Sequence, residues 1–274
     1  MRDEKKGEKR TVKRTVALLL SLVLLCAALL SCAEEQPPEW TGKQPTVLPD
    51  PYETYEAART YFVALAGVYA AETSTRVATG GAEVEIYRAF ASDGQDRYSH
   101  IQMRNDVQQT ESFICYKEGV AYLSAGGVRL RAMMTEEEYL TRLAGVEGVD
   151  LGLLSLRETD LMNVKMREEI GGYYFAVQVA ADERQAPFLR AALGKNAYDM
   201  YEGGTPTSGV TCVLRFAKDG TPRAVSLTVN ILYGGQEIEI SSATAYKNFG
   251  SVQIPLPENA ISYTLIPKDE MPEM

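Results

Sequence analysis

The sequence predicts an α+β fold: a one-sided antiparallel sheet covered by helices, behind an N-terminal export signal and a proline-rich tether. Three observations predict it. Residues 16–32, VALLLSLVLLCAALLSC, are an uncharged apolar run led by Lys9, Arg10, Lys13 and Arg14. From residue 75 on, short β-rich runs alternate with Gly- and Asp-containing turn signals, a spacing that allows hairpins but not the long crossovers of parallel strands. The clearest strand alternates Val225, Leu227, Val229 and Ile231 with Ser226, Thr228 and Asn230. A sheet with one dry face needs helices to cover it.

The apolar run is short for a membrane helix, which needs about 20 apolar residues, and has the basic, apolar and small-residue parts of an export signal. Its end, Leu29-Leu30-Ser31-Cys32, resembles the lipobox of bacterial lipoprotein signals. That resemblance implies a signal peptide over residues 1–31 and a diacylglyceryl cysteine at Cys32, carrying palmitate-like chains. It also implies a lipid-anchored place on the outer face of the cell membrane; an uncleaved signal anchor is the alternative. Loss of residues 1–31 removes seven basic and three acidic residues, taking the formal net charge from −9 to −13. Such a balance argues against nucleic acid, whose binding needs clustered Lys and Arg, and against electrostatic adhesion to an anionic bilayer. The anchor on Cys32 is therefore the expected membrane contact, two acyl chains being enough for stable attachment. Residues 32–49 are read as the lipidated Cys and its tether. Pro37, Pro38, Pro45 and Pro49 favour extended backbone with a reach of roughly 3.1 Å per residue, and Trp40, the one Trp, lies among them.

The folded domain is expected over residues 50–267, with 268–274 a frayed tail. Asp50, Pro51 and Glu53 mark a helix start. Tyr55, Ala58, Phe62, Leu65 and Tyr69 then recur at spacings of three and four, predicting a helix to about residue 71. Turn signals at Gly80-Gly81, Asp93-Gly94, Glu118-Gly119 and Gly126-Gly127 divide residues 75–133 into strands, the last with Val128, Leu130 and Ala132 on its dry face. Thr135 and Glu138 form a capping box before a short helix. Residues 145–156 fit a loop or a second short helix. Strands are expected at about 161–168 and again after Gly171-Gly172, where Tyr173, Phe175, Val177 and Val179 share a face. Residues 182–193 read as a helix delayed by Pro187 and stopped by Gly194, and 196–209 as a polar loop. Three strands follow, turning at Asp219-Gly220 and Gly234-Gly235, and Pro255 and Pro257 end the sheet.

No residue pattern signals catalysis, and the chain reads as a non-enzyme that needs no cofactor. His100, the sole histidine, stands in a strand-like run, and no Gly-x-Ser-x-Gly elbow presents a nucleophile. No paired Cys or HExxH spacing provides a zinc site. Residues 92–96, SDGQD, lack the rest of an EF-hand loop and read as a hairpin turn. Glu136–Glu138 and Asp182-Glu183 suit helix N-termini. Cys26 belongs to the signal; Cys115 and Cys212 are expected as free thiols, Cys212 alternating with Val210 and Leu214, although export permits a disulfide.

The element order is helix, about five strands, helix, two strands, helix, three strands and a proline-broken end. Together with the lipobox, the Lys218-Asp219-Gly220 hairpin and the ending Ile254–Asn259, IPLPEN, it resembles the LolA-like and LppX/LprG-like lipoproteins. The resemblance spans roughly residues 50–267 and implies a half-barrel, a curved sheet wrapped around helices, that binds a lipid or other apolar ligand. The implied cavity between helix and sheet would be lined by Tyr55, Phe62, Leu65 and Tyr69 from the first helix and by Val128, Leu130, Phe175, Val177, Leu227 and Val229 from the sheet. The same inward face also fits a solid core, leaving the outer strands as an interaction or sensing surface for a partner whose identity the sequence does not give.

Overall fold

Two-residue turns whose central positions both have positive φ set the strand pairing. Glu118 and Gly119 (φ 51° and 80°), Gly126 and Gly127 (57° and 82°), and Gly234 and Gly235 (57° and 81°) supply the twist that tight hairpins require. The computed structural model describes residues 48–65, 67–143, 149–180 and 182–272; the signal, Cys32, Trp40 and most of the tether lie outside these residues.

A six-strand meander comes first: β1 (Val68–Thr79), β2 (Ala82–Asp93), β3 (Arg97–Arg104), β4 (Gln109–Lys117), β5 (Val120–Ala125) and β6 (Val128–Met133). Then follow β7 (Lys165–Glu169), β8 (Gly172–Val179), β9 (Thr205–Pro206), β10 (Val210–Ala217), β11 (Pro222–Tyr233), β12 (Gln236–Lys247) and β13 (Thr264–Leu265). All join one sheet in the order β13-β6-β5-β4-β3-β2-β1-β12-β11-β10-β8-β7, with β9 on β11. Pairing is antiparallel except between β13 and β6. The long β1–β12 ladder, from Ala70↔Lys247 to Thr79↔Ile238, joins the two halves of the chain, and the sheet stays open at β13 and β7. This is a curved, open half-barrel. The β3–β4 turn carries no Gly signal: Asn105 makes it, its Oδ1 accepting from the N–H groups of Val107 (2.9 Å) and Gln108 (2.8 Å).

Helix α1 (Pro51–Ala64) starts where Asp50 Oδ1 accepts from Tyr52 and Glu53 N–H, both at 2.9 Å, and it buries Tyr55, Ala58 and Phe62. It is shorter than its apolar spacing predicts. Gly67, at φ +78°, turns the chain out of the helix, so Tyr69 lies on β1 rather than on α1. Helix α2 (Glu136–Leu143) has the expected capping box, Thr135 N–H donating to Glu138 Oε2 at 2.8 Å and Glu138 N–H to Thr135 Oγ1 at 3.3 Å. A single turn, α3 (Glu158–Leu161), precedes β7, so the strand expected at about 161–168 starts later, at Lys165. Helix α4 (Ala186–Leu193) ends at Gly194, and Asp182 lies ahead of it in a turn, paired with Arg184 at 2.7 Å. Helix α5 (Lys195–Gly203) replaces the expected loop: its Asn, Asp and Gly are poor helix formers, but buried Ala197 and Tyr198 anchor it.

The helices lie on one face of the sheet, here the inner face. Val225, Leu227, Val229 and Ile231 are at most 2 % exposed there, while Ser226, Thr228 and Asn230 are half-buried, the parity the alternation predicts. Cross-strand partners extend this face through Cys212 and Val177, and α1, α3, α4 and α5 complete the main core. A second core on the inner face packs Ile114, Leu123 and Ala132 against Tyr139 of α2. Met271 joins that core at 2 % exposure, so the chain is packed here rather than frayed. On the outer face of β4 and β5, Cys115 and Tyr122 pack against Ile254 and Tyr263, covering the sheet on its second side. Cys115 and Cys212 are free, and burial pushes both thiols up to about 12.

Candidate ligand groove

Cross-strand partners share a face, so the register itself assembles a groove. On the inner face Ile86 pairs with Met103, Arg88 with Ile101, Met103 with Thr110, and Ile101 with Ser112. These six side chains of β2, β3 and β4 form its floor. Its wall is the junction of α4 and α5: Leu193, Gly194, Lys195 and Asn196. The groove's volume is about 240 Å³, just below the ~300–1,000 Å³ typical of small-molecule pockets and enough for one short chain. Main-core side chains fill the inner face beyond it, whereas Ile86, Ile101 and Met103 remain only half-buried.

A buried polar seam holds the wall in place. Thr73 and Thr244 hydroxyls meet at 2.9 Å, and Thr75 and Ser242 at 3.2 Å. Ser242 Oγ donates to the Ala192 carbonyl at 2.7 Å, and Arg88 Nη2 donates to the same oxygen at 2.7 Å. Both satisfy a carbonyl in the last turn of α4, which has no partner within its own helix. Arg88 is 7 % exposed, and burial alone pushes its guanidinium down to about 10, so it stays charged at neutral pH. Its Nε has no hydrogen-bond partner.

The residues expected to line a cavity are divided by the structure. Phe62 and Tyr69 pack ring against ring, 4.8 Å between centroids, and Phe62 also meets Tyr246 at 5.4 Å. Tyr55 is fully buried; its hydroxyl donates to the Leu154 carbonyl, accepts from Leu156 N–H at 3.2 Å, and is pushed up to about 12 by burial. Phe175, Val177, Leu227 and Val229 belong to the main core, Phe175 stacking at 5.4 Å on Phe216. Leu65 is the half-buried C-cap of α1. None of these eight sits on the groove. Leu130 packs against the second core, and Val128, expected on the dry face, is 54 % exposed. Val128 is on the inner face as predicted, but no helix covers it there; the row Arg88, Ile101, Ser112, Ala125, Val128 carries the groove floor out to the open side.

Arg88, Ile86, Ile101 and Met103 are the residues that sequence reasoning missed. The signal was a charged residue inside an apolar register, Val84, Ile86, Arg88, Phe90. A larger hollow of about 470 Å³ lies at the far ends of β1, β11 and β12, but its lining is polar and Arg76 there is already paired with Glu83 and Glu239. His100 is a strand residue bonded to Glu111 at 2.5 Å. Among the described residues, no three His, Cys, Asp or Glu are grouped to hold a metal ion, and no helix is long and apolar enough to cross a membrane.

The chain is similar to LprF from Mycobacterium bovis and to a LolA superfamily protein from Nitrosomonas europaea. LprF shares 11 % identity over 75 % of this chain and 97 % of its own, with a TM-score of 0.32. The LolA superfamily protein shares 11 % identity over 74 % and 94 %, with a TM-score of 0.25. A DUF1329 family protein from Desulfovibrio piger follows at 11 % identity over 76 % and 95 %, TM-score 0.22. The likeness is one of architecture, and no residue role is transferred from it. No protein-family model and no curated protein matches the chain.

Proposed function

We propose that this chain is an exported, lipid-anchored envelope protein whose half-barrel binds an apolar ligand in the groove between β2–β4 and the α4–α5 junction. The supporting observation is the uneven cover of the inner face. Over β8–β12 the helices fill it, but over β2–β4 they stop at Gly194 and leave Ile86, Ile101 and Met103 lining an open hollow. Tyr55, Phe62, Tyr69, Phe175, Val177, Leu227 and Val229 belong to the packed core beside it, Leu130 packs against the second core, and Val128 continues the floor toward the open side. The lipobox-like Leu29–Cys32 supplies the anchor in this reading, and the protein acts by holding its ligand, not by transforming it. Uptake of a fluorescent acyl probe by the full chain, competed by unlabelled fatty acid, tests the binding step. No saturable uptake would favour the outer strands as an interaction surface over a ligand site.

A further inference from the structure

We infer that the groove takes an anionic amphiphile, with its carboxylate or phosphate seated on Arg88 and Lys195 and its chain lying over Ile86, Ile101 and Met103. The inference rests on the groove being a ligand site and specifies which class of ligand it holds.

The first support is an uncompensated charge. Arg88 is 7 % exposed on the groove floor, and among the described residues no carboxylate pairs with it. Its one recorded acceptor is the neutral Ala192 carbonyl, and Nε has none. Guanidinium has five N–H donors in a fixed fork, so capping α4 occupies only part of it. A buried charge without a counter-charge is strongly disfavoured, and an anion from outside would remove that penalty.

The second support is the sign of the lining. The groove's two charged residues, Arg88 and Lys195, are both cationic, in a chain of net charge −9. Asp199 pairs with Lys195 at 3.2 Å on α5 and is not part of the lining. The third is the start of α5, where Gly194 is the N-cap and provides no side-chain acceptor. Gly194 also permits the approach: a Cβ on it would lie 3.2 Å from Arg88 Nη1.

The test uses the full chain in membranes of the expressing cells. Diazirine-bearing dodecanoate and its neutral dodecanol counterpart are cross-linked, and the labelled peptides are read by mass spectrometry. On the wild type, unlabelled dodecanoate should displace the acid probe at a concentration about tenfold lower than methyl dodecanoate needs, as expected of a charge-assisted contact. Arg88→Gln should lower acid labelling of peptides bearing Ile86, Ile101 or Met103 by about tenfold more than it lowers alcohol labelling. Arg88→Lys should recover part of the acid labelling. Inorganic phosphate at millimolar concentration should not displace the acid probe; full displacement would identify a site for free anions and overturn the amphiphile. Equal displacement by acid and ester on the wild type would overturn the charge recognition while leaving an apolar site. Loss of both probes from Arg88→Gln with no recovery in Arg88→Lys would reduce Arg88 to a cap on α4. Failure of both probes to label the wild type in the groove would instead remove the ligand site itself.

Discussion

Arg88 and Ala192, 104 residues apart in the chain, meet through a 2.7 Å hydrogen bond from Nη2 to the carbonyl oxygen at the end of α4. Ser242 donates to the same oxygen, so the sheet fixes the helix end from two strands. That end is the groove wall. Ser242→Ala should therefore cost about 1 kcal/mol, the net worth of one buried hydrogen bond, because Arg88 still satisfies the carbonyl. Denaturant unfolding measures it; a loss several times larger would show that Arg88 cannot hold α4 alone.

The packed core and the groove floor should respond differently to truncation. Leu227 is 2 % exposed in the main core, so Leu227→Ala should cost about 2–5 kcal/mol. Met103 is half-buried and packs against none of the described cores, so Met103→Ala should cost about 1 kcal/mol or less. Chemical denaturation of the two variants checks the contrast. Equal losses would mean that the floor of β2–β4 is core as well.

Glu138 caps α2 and pairs with Lys268, and that pair, with the Thr135 N–H, lowers its carboxyl from the ordinary 4.5 to about 2. A carboxyl held low in the folded state stabilises above its unfolded pKa and ceases to do so as pH falls through its folded value. Stability from this contact should decline from about pH 4.5 toward about 2. Its contact with solvent makes the effect small and salt-sensitive. Melting temperatures of wild type and Glu138→Gln should converge across that window at low salt; a constant gap would assign the contribution to something other than ionisation.

Lipidation rests on Leu29–Cys32. Cys32→Ser expressed in a bacterium fed labelled palmitate should carry no label and remain at precursor size, whereas the wild type is labelled. Equal label on both would remove the anchor.

Much of the fold was legible because its signals are local. Gly234-Gly235 and Gly126-Gly127 turned as predicted, and strand parity at 225–231 followed from period-two alternation alone. Where a non-Gly residue made the turn, as Asn105 did, the strand boundary was missed. Helix α5 was missed because its stability comes from burying Ala197 and Tyr198, not from its residues' propensity. The candidate site was the least legible part. Alternation shows which side chains share a face, and Val128, Leu227 and Val229 do share one. Which stretch of that face the helices leave uncovered depends on where the end of α4 docks on the sheet, and a contact between residues 104 apart fixes that.

If the uncovered stretch holds an apolar ligand, filling the groove should expel it. Full-length protein isolated without denaturation is extracted with organic solvent, and co-purifying acyl compounds not bound covalently are quantified for wild type and Met103→Trp. The wild type should carry a stoichiometric acyl compound, and Met103→Trp should lose it at unchanged melting temperature. The same compound in equal amount on both proteins, or none on the wild type, would contradict a ligand in the groove.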